Sequence, residues 1–504
     1  MTFTRQGSRG ARLLSWGVPV AVLALAAVLR CWELSRPDSL VFDELYYVRD
    51  AVSQLAHGYP TVWPDDEPAF GGERARAFTD TASTIAHPPL GKWLIALGLL
   101  LFGPDTGWGW RFSAAFAGVA TVGITMRLGF LLSRSVWVAW IAGLALAIDG
   151  VHVVLSRIAL LDGFLTMLVA LGALFLLLDW QRGRSLWRRP WLLAAGLAFG
   201  GAAAVKWSGW YALAAFLLLV VFGQLLRGLG EDRPAPGAAR RFGSVLPRSL
   251  AYASAAAVIA LPAALLAYLA SWTGWIVTSG GQNRAPGTPW WVSLWEWHVE
   301  AFAWHSTLSA PHPYQAHPLG WPLALRPTAM FSERWEGQVA AITPLPNPLV
   351  TWGGVAALGL LLWVVARVCG RAARAHSLEP LRGSAVFASA FVLTGWLSGW
   401  LPWVLTFSRS AVFQFYAVVL TPFAALALAL VLASFASLPG QAGLLRRAGM
   451  TLDDSAEAAR GRRGAVALFL GTAVVLALLF WPLWAGMPVE AWFYRWHIWL
   501  PGWS

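Results

Sequence analysis

Apolar runs long enough to cross a lipid bilayer recur along the whole chain, and this recurrence constrains the fold more than any other feature. A spanning helix needs roughly 20 apolar residues, because its backbone polar groups must be satisfied within the helix itself. Only 12% of the residues are charged, against about a quarter in soluble domains. The sequence therefore predicts an all-α polytopic membrane protein that forms a single membrane domain over 1–504.

Hydropathy and length place about eleven spanning helices along the chain. They are expected near 13–33, 110–132, 136–155, 160–179, 190–207, 210–228, 249–270, 349–366, 383–402, 412–436 and 464–485. The first is expected to be a retained helix rather than a cleaved signal peptide, because no small-residue cleavage site follows it. The apolar run at 89–102 is too short to span, so we expect it to be re-entrant or interfacial.

Arginine is confined largely to the N-terminus and to alternate connections between these helices, near 127–134, 182–189, 227–248, 367–382 and 446–463. This is the positive-inside bias, and it predicts a cytoplasmic N-terminus and an extracytoplasmic C-terminus. It also explains the net charge of +12, so we expect no nucleic-acid partner. The two cysteines, Cys31 and Cys369, are expected near opposite faces, which makes a disulfide framework improbable.

Two long loops remain on the extracytoplasmic side, at 34–88 and 271–348. The first is acidic, since ten of the 25 carboxylates lie between Glu33 and Asp80. It contains the adjacent pair Asp43 and Glu44, and neighbouring side chains on one element point apart. One could therefore act as a general base, while the alternative reading of the pair is a helix N-cap followed by a first-turn charge.

Four cations oppose the positive-inside trend and converge on the same face: Lys92, Arg157, Lys206 and Arg409. The only two lysines of the chain are among them, beside 35 arginines. Together they suggest an anionic ligand at the membrane surface. Other readings stay open at single positions, since Lys92 could snorkel, Lys206 could pair with a carboxylate, and Arg157 could pair with Asp162.

The second loop is rich in histidine and tryptophan. Its histidines, His298, His305, His312 and His317, are spaced too widely for a compact metal site, so we expect no metal. Its nine tryptophans fit an interfacial belt, and stacking on sugar or peptide is the alternative.

Seven ordered segments resemble the protein O-mannosyltransferases in their shorter bacterial form, and the resemblance covers nearly all of the chain. They are FDELYYVRDA at 42–51, HPPLGKWLIALG at 87–98, SRIALLDGFLTM at 156–167, VKWSGWY at 205–211, HPLGWPLALRP at 317–327, LPNPLVTW at 345–352 and SRSAVFQFYAVVLTPF at 408–423. The resemblance implies a GT-C glycosyltransferase fold in a bacterial plasma membrane. It also implies that the 78 residues of the second loop are too few for the extra sugar-binding-like domain of eukaryotic members.

The same resemblance implies an inverting, metal-independent enzyme without a cofactor. Its donor would be polyprenyl-phosphate mannose, and its acceptor a Ser or Thr hydroxyl of a polypeptide met during Sec translocation. The family's acidic pair corresponds to Asp43 and Glu44, and its phosphate-contacting arginine to Arg157. We expect Asp43 to be the base, with Glu44 orienting a neighbour or contacting the acceptor.

Further site residues are expected around that pair. Arg157, Lys206 and Arg409 would hold the donor phosphate, with Lys92 a weaker candidate. The substrate cleft would include Tyr46, Tyr47, His87, Asp162 and His317. Two other functions fit part of the pattern: a GT-C transferase that moves another lipid-linked sugar to a lipid or glycan, and a transporter of lipid-linked sugars. A transporter would favour charges near the bilayer midplane and an internal repeat, and the sequence suggests neither.

Overall fold

A computed structural model describes residues 9–182, 185–231, 238–381, 383–439 and 443–503 of the chain. Arg184, Arg233 and Arg382, which belong to the arginine-rich connections, lie outside these ranges. Within them the structure is a bundle of α-helices with one small β-sheet. The helices are α1 Arg9–Cys31, α2 Glu44–His57, α3 Leu90–Phe102, α4 Gly107–Ser133, α5 Val136–Ala147, α6 Gly150–Leu155, α7 Leu161–Arg182, α8 Pro190–Val205, α9 Gly209–Glu231, α10 Ala238–Ser271, α11 Thr273–Val277, α12 Trp290–Thr307, α13 Pro348–Arg374, α14 Ser384–Val404, α15 Thr421–Phe435, α16 Gly443–Ala448, α17 Ala456–Trp484 and α18 Ala491–Trp496.

Eight helices of the described ranges are long and apolar enough to cross a membrane, with α15 counted together with the 3₁₀ turn that precedes it. Four shorter apolar helices accompany them, including most of α1 and all of α3, α5 and α8. Every segment predicted to span coincides with a helix or a pair of helices in the structure. The multi-pass membrane architecture is therefore confirmed.

One predicted helix, 136–155, is broken in two. The break between α5 and α6 is held by side chains from elsewhere in the fold. The buried guanidinium of Arg30 donates to the carbonyls of Leu146 and Ala147, at 3.3 and 3.2 Å, which are the last turn of α5. The Asp149 carboxylate caps α6 by accepting from the backbone N–H of His152 at 2.8 Å. Free backbone groups are costly in an apolar interior, and these contacts satisfy them.

The loops at 34–88 and 271–348 cover one end of the bundle, which we call the loop end. It carries α2, α11, α12 and a three-stranded antiparallel sheet of β1 Phe331–Trp335, β2 Gln338–Ile342 and β3 Pro488–Glu490. Val339 in β2 pairs with Val489 in β3, so the segment that follows α17 joins the second loop. The sheet was not expected from the sequence. Its third strand is only three residues long and comes from a distant part of the chain, so no local pattern indicates it.

Candidate active site

Asp43 precedes the first residue of α2 and is half-buried in a cleft at the loop end. It occupies the N-cap position, yet its side chain makes no capping hydrogen bond. Instead its carboxylate is hydrogen-bonded by Tyr47, one turn further along α2. Burial raises the pKa of Asp43 to about 6, with Asp162 raising it further and Lys206 opposing the rise. Asp43 is thus a carboxyl group that faces a cleft and ionises near neutral pH.

Glu44, the adjacent carboxylate, has no access to that cleft. It is fully buried and accepts two hydrogen bonds from Arg111, at 2.9 and 2.8 Å. The backbone N–H groups of Val41 and Ala159 also donate to it, at 2.9 and 2.8 Å. Of the two roles that the sequence left open for Glu44, the geometry matches the orientation of neighbours and not contact with an acceptor.

The cleft beside Asp43, which we call the outer cavity, has a volume of 810 Å³, which lies in the size range of ligand pockets. Its walls come from α2, from residues 83–87 before α3 and from α12 of the second loop. Its lining includes Asp43, Tyr46, Tyr47, Trp63, His87, Trp304, His305 and Tyr416. Aromatic rings and carboxylates dominate this lining, which gives the cavity both stacking surfaces and hydrogen-bond acceptors.

A second cavity of 570 Å³, the inner cavity, lies against the first and extends between the bundle helices. Apolar residues of α7, α9 and α14 form much of its wall, among them Leu165, Val169, Ala212, Pro402 and Trp403. Charged groups, Asp162, Lys206 and Arg409, also line it. The two cavities share the residues Ala86, His87, His305 and Tyr416 as a common wall.

Lys206 and Arg409 are the two predicted cations that line the inner cavity. The Lys206 ammonium lies 2.7 Å from Asp162 and 4.8 Å from the ring centre of Tyr416. This carboxylate partner is the alternative that the sequence left open for Lys206, and it coexists with exposure to the cavity. Arg409 donates to the carbonyl of Ala411 at 3.0 Å and to the hydroxyl of Tyr416 at 3.3 Å.

The other two predicted cations lie outside both linings. Arg157 is buried and uses its guanidinium to hold the end of α1, donating to the carbonyls of Leu29, Arg30, Trp32 and Glu33. Lys92 is buried against Asp50 at 3.2 Å and donates to the carbonyl of His87. Both cations are therefore engaged in internal contacts and line neither cavity, and their expected phosphate-binding roles stay predictions.

The predicted substrate-cleft residues divide in the same way. Tyr46, Tyr47 and His87 line the outer cavity, and Asp162 and His87 line the inner one. His317 is exposed and accepts from the backbone N–H of Leu319 at 3.3 Å, so it caps a 3₁₀ turn and lines neither cavity. Its expected place in the substrate cleft stays a prediction.

His305, Trp207 and Tyr416 line these cavities, although sequence reasoning gave them no role there. Trp207 and Tyr416 stand inside matched segments, VKWSGWY and SRSAVFQFYAVVLTPF, which was the available signal. His305 was visible only as one of four spaced histidines. Among the described residues no group of three His, Cys, Asp or Glu side chains could hold a metal ion.

The chain matches two family models that together cover most of its length. Residues 20–277 match the dolichyl-phosphate-mannose-protein mannosyltransferase family, and residues 290–503 match the C-terminal four-transmembrane region of protein O-mannosyltransferases. Among curated relatives, the polyprenol-phosphate-mannose–protein mannosyltransferase of Mycobacterium tuberculosis is 31% identical over 98% of this chain and 92% of its own length. The protein of the same name from Corynebacterium glutamicum is 28% identical over 97% of this chain and 93% of its own.

Solved structures agree with the fold. The Saccharomyces cerevisiae protein O-mannosyltransferase Pmt1–Pmt2 complex, bound to its sugar donor, aligns with a TM-score of 0.73 at 16% identity over 98% of this chain and 93% of that chain. The Archaeoglobus fulgidus oligosaccharyltransferase aligns with a TM-score of 0.52 at 15% identity, over 97% of this chain and 58% of that one. At these identities the likeness concerns the fold alone.

Proposed function

The chain belongs to the protein O-mannosyltransferases and has the GT-C glycosyltransferase fold, and from this premise we propose which substrates it takes and how. The donor is polyprenyl-phosphate mannose, and the acceptor is a Ser or Thr hydroxyl of a secreted or membrane polypeptide. The observation that carries the proposal is the meeting of two cavities at one wall. Cations line the inner cavity, and an ionisable carboxyl group lines the outer one.

The inner cavity suits the donor lipid. Its apolar wall between α7, α9 and α14 matches a polyprenyl chain that enters from the bilayer. Lys206 and Arg409 match the phosphate, since both are cations that face this cavity. Arg409 has five N–H donors, of which Ala411, Tyr416 and His305 take one each, so two remain for an anion.

The outer cavity suits an extended acceptor segment. Tyr46 and Trp304 are half-exposed or more and offer aromatic faces along its wall. Asp43 lies in the same wall, where it can accept a proton from an alcohol. A general base with a pKa near the working pH combines a high ionised fraction with adequate basicity.

The reaction follows from this arrangement. The acceptor oxygen attacks the anomeric carbon from the outer cavity and transfers its proton to Asp43. The bond between that carbon and the phosphate oxygen breaks, and polyprenyl phosphate leaves into the inner cavity with its new charge beside Lys206 and Arg409. Attack and departure occur on opposite sides of the sugar, so the anomeric centre is inverted. Fixed cations that face the developing charge lower the barrier.

The setting is a bacterial plasma membrane, with the loop end and the C-terminus on the extracytoplasmic side. Acceptor segments would arrive there unfolded during Sec translocation, when a Ser or Thr is still accessible in an extended chain. Lipids surround the exposed apolar faces of the bundle. No cofactor and no metal enter this scheme, because Lys206 and Arg409 occupy the place of a Lewis acid beside the phosphate.

A transfer assay tests the proposal. Membranes containing the protein receive labelled mannosyl polyprenyl phosphate and a peptide rich in Ser, Thr and Pro, with a chelator present in a parallel sample. We expect label on the peptide with or without chelator. Label on a lipid or glycan instead of the peptide would assign the protein to a GT-C transferase of another specificity. Transport of intact donor without sugar transfer would show that the protein is a transporter and not an enzyme.

A further inference from the structure

His305 lies at the common wall of the two cavities, on α12 of the second loop, and it contacts two other external segments that build the site. One ring nitrogen, Nε2, lies 2.7 Å from the carbonyl oxygen of Ala86 in the first loop. The other, Nδ1, lies 3.1 Å from a terminal nitrogen of Arg409, in the segment after α14. The ring also stacks on His87, with ring centres 5.2 Å apart and planes 15° from parallel.

These two hydrogen bonds determine the proton on the ring. A guanidinium can only donate, so Nδ1 of His305 must accept from Arg409. A carbonyl oxygen can only accept, so Nε2 must carry the proton and donate to Ala86. The imidazole is therefore neutral, which fits the lowering of the pKa of His305 by burial, with opposition from its bond to Ala86 and further lowering by Arg409 and Lys206.

Three hydrogen bonds to described residues anchor the guanidinium of Arg409. The carbonyl of Ala411, the hydroxyl of Tyr416 and Nδ1 of His305 each take one N–H. Two of these anchors, Ala411 and Tyr416, lie within seven residues of Arg409 along the chain. His305 is 104 residues away and is the partner of the guanidinium that lies on the second loop. The backbone N–H groups of Ser410 and Ala411 also donate to the carbonyl of Leu308 in that loop, so the backbone beside Arg409 is fixed there and His305 orients the side chain.

We propose that His305 is a positioning residue that acts through Arg409: its Nδ1 holds the guanidinium towards the donor phosphate, so that the phosphate site is complete only when α12 is docked against the first loop. This inference rests on the proposed function and assigns a role to the second loop within it. In this role His305 supplies no proton and no charge to the reaction. It orients a charge that another segment supplies.

Two substitutions separate the two hydrogen bonds of the ring. The side-chain oxygen of asparagine can take the place of Nδ1, so His305→Asn keeps an acceptor for Arg409 and loses the donor to Ala86. The amide of glutamine reaches the place of Nε2, so His305→Gln keeps the donor to Ala86 and loses the acceptor for Arg409. His305→Ala removes both, and Glu296→Gln, at an exposed residue of the same helix that lines neither cavity, is the matched control.

The measurement is kcat, acceptor KM and the binding of polyprenyl phosphate for purified protein in lipid nanodiscs. We expect His305→Ala and His305→Gln to lower kcat about tenfold or more, the equivalent of one hydrogen bond to a charged group, with the acceptor KM within about twofold. His305→Asn should recover most of that loss, and Glu296→Gln should match the wild type. In an Arg409→Ala background, His305→Ala should cost little more.

If His305→Gln, and not His305→Asn, recovered the wild-type kcat, the inference would be overturned. The bond to Ala86 would then be the one that matters, and His305 would serve only to dock the second loop on the first. An equal loss in all three variants, or an undiminished His305→Ala effect in the Arg409→Ala background, would also overturn the inference. The measurement of polyprenyl phosphate binding distinguishes a failure of this inference from a failure of the proposed function. If the wild type binds polyprenyl phosphate but mannosylates no peptide, the acceptor assignment fails while the binding differences among the His305 variants still test the positioning role.

Discussion

At the residue scale, Asp43 and Glu44 illustrate how adjacent identical charges acquire different chemistry. Glu44 accepts four hydrogen bonds in a buried setting, two of them from Arg111. Asp43 faces a cavity with Tyr47 as its hydrogen-bond partner. Glu44 is held in place by fixed donors, whereas burial raises the pKa of Asp43.

The pH dependence of mannosyl transfer should follow the ionisation of the Asp43 carboxyl group. Its pKa is raised to about 6, so the base is protonated and inactive below that pH, while an unperturbed Asp would stay ionised to about 4. We expect kcat/KM to fall about tenfold per pH unit below 6 and to level off above it. The measurement is an initial-rate profile at saturating donor, with donor binding followed over the same range. An acid limb near pH 4 would remove Asp43 from the role of the titrating base.

Glu44→Gln should mainly lower the stability of the protein and should affect mannosyl transfer only as a consequence. It leaves the guanidinium of Arg111 buried without its counter-charge, and breaking such a pair costs about 3–5 kcal/mol. We expect a clearly lower unfolding temperature in detergent. The Glu44→Gln, Arg111→Met double variant should lose less than the sum of the single variants. A Glu44→Gln protein of unchanged stability that nevertheless fails to transfer mannose would contradict this assignment.

The sequence distinguished these residues only in part. The adjacent pair and its place after the first helix singled out Asp43 and Glu44 together. Their separate roles depend on Arg111, 67 residues away from Glu44, and on Lys206 and Asp162 beside Asp43. No local pattern in a sequence reports which distant cation a carboxylate will meet.

At the scale of elements, hydropathy recovered the long helices well, because a bilayer requires about 20 apolar residues in each. It missed the break between α5 and α6. The break lies at Asp149-Gly150, a dipeptide that favours turns but that a hydropathy scan does not register. The break is held by Arg30, 117 residues before Ala147. The β-sheet was missed for a similar reason, since β3 has three residues and gains its partners only in the folded protein.

The contacts at the C-terminal end of α1 provide a test of the role of Arg157. Arg157 donates to four carbonyls at that end, which have no partners within the helix. We expect Arg157→Ala to lower the unfolding temperature and to leave the affinity for polyprenyl phosphate within about twofold, because Arg157 lines neither cavity.

Arg409→Ala is the matched comparison, since that arginine lines the inner cavity. It should weaken binding of polyprenyl phosphate with a smaller effect on unfolding. If Arg157→Ala instead abolishes lipid binding at unchanged stability, the result would support the phosphate role that the family resemblance implies for Arg157.

At the scale of the whole molecule, the account requires the loop end to be extracytoplasmic. The two native cysteines allow a direct check. Cys369 is exposed in the last third of α13, towards the end that carries the arginine-rich connections, and both cysteines are free thiols. We expect Cys369, as the sole cysteine of a Cys31→Ser variant, to react with a membrane-impermeant maleimide only after cells are permeabilised.

A cysteine placed in the sheet is the control. Ser332 is exposed in β1 of the second loop, so Ser332→Cys in a background without Cys31 and Cys369 should react in intact cells. Reaction of Cys369 in intact cells, with Ser332→Cys protected, would reverse the orientation. The site would then face the cytoplasm.

The central claim is that Asp43, in the outer cavity, accepts the proton of the acceptor hydroxyl. The sugar donor is held on the other side of the common wall, with its phosphate beside Lys206 and Arg409. The most direct measurement is a single-turnover experiment in nanodiscs that compares wild type with Asp43→Asn for both donor binding and mannosyl transfer to a peptide. The account predicts donor affinity within a few-fold of wild type and transfer reduced by about 10²–10⁴, the range of general-base catalysis. Transfer at close to the wild-type rate, or loss of transfer explained entirely by loss of donor binding, would contradict it.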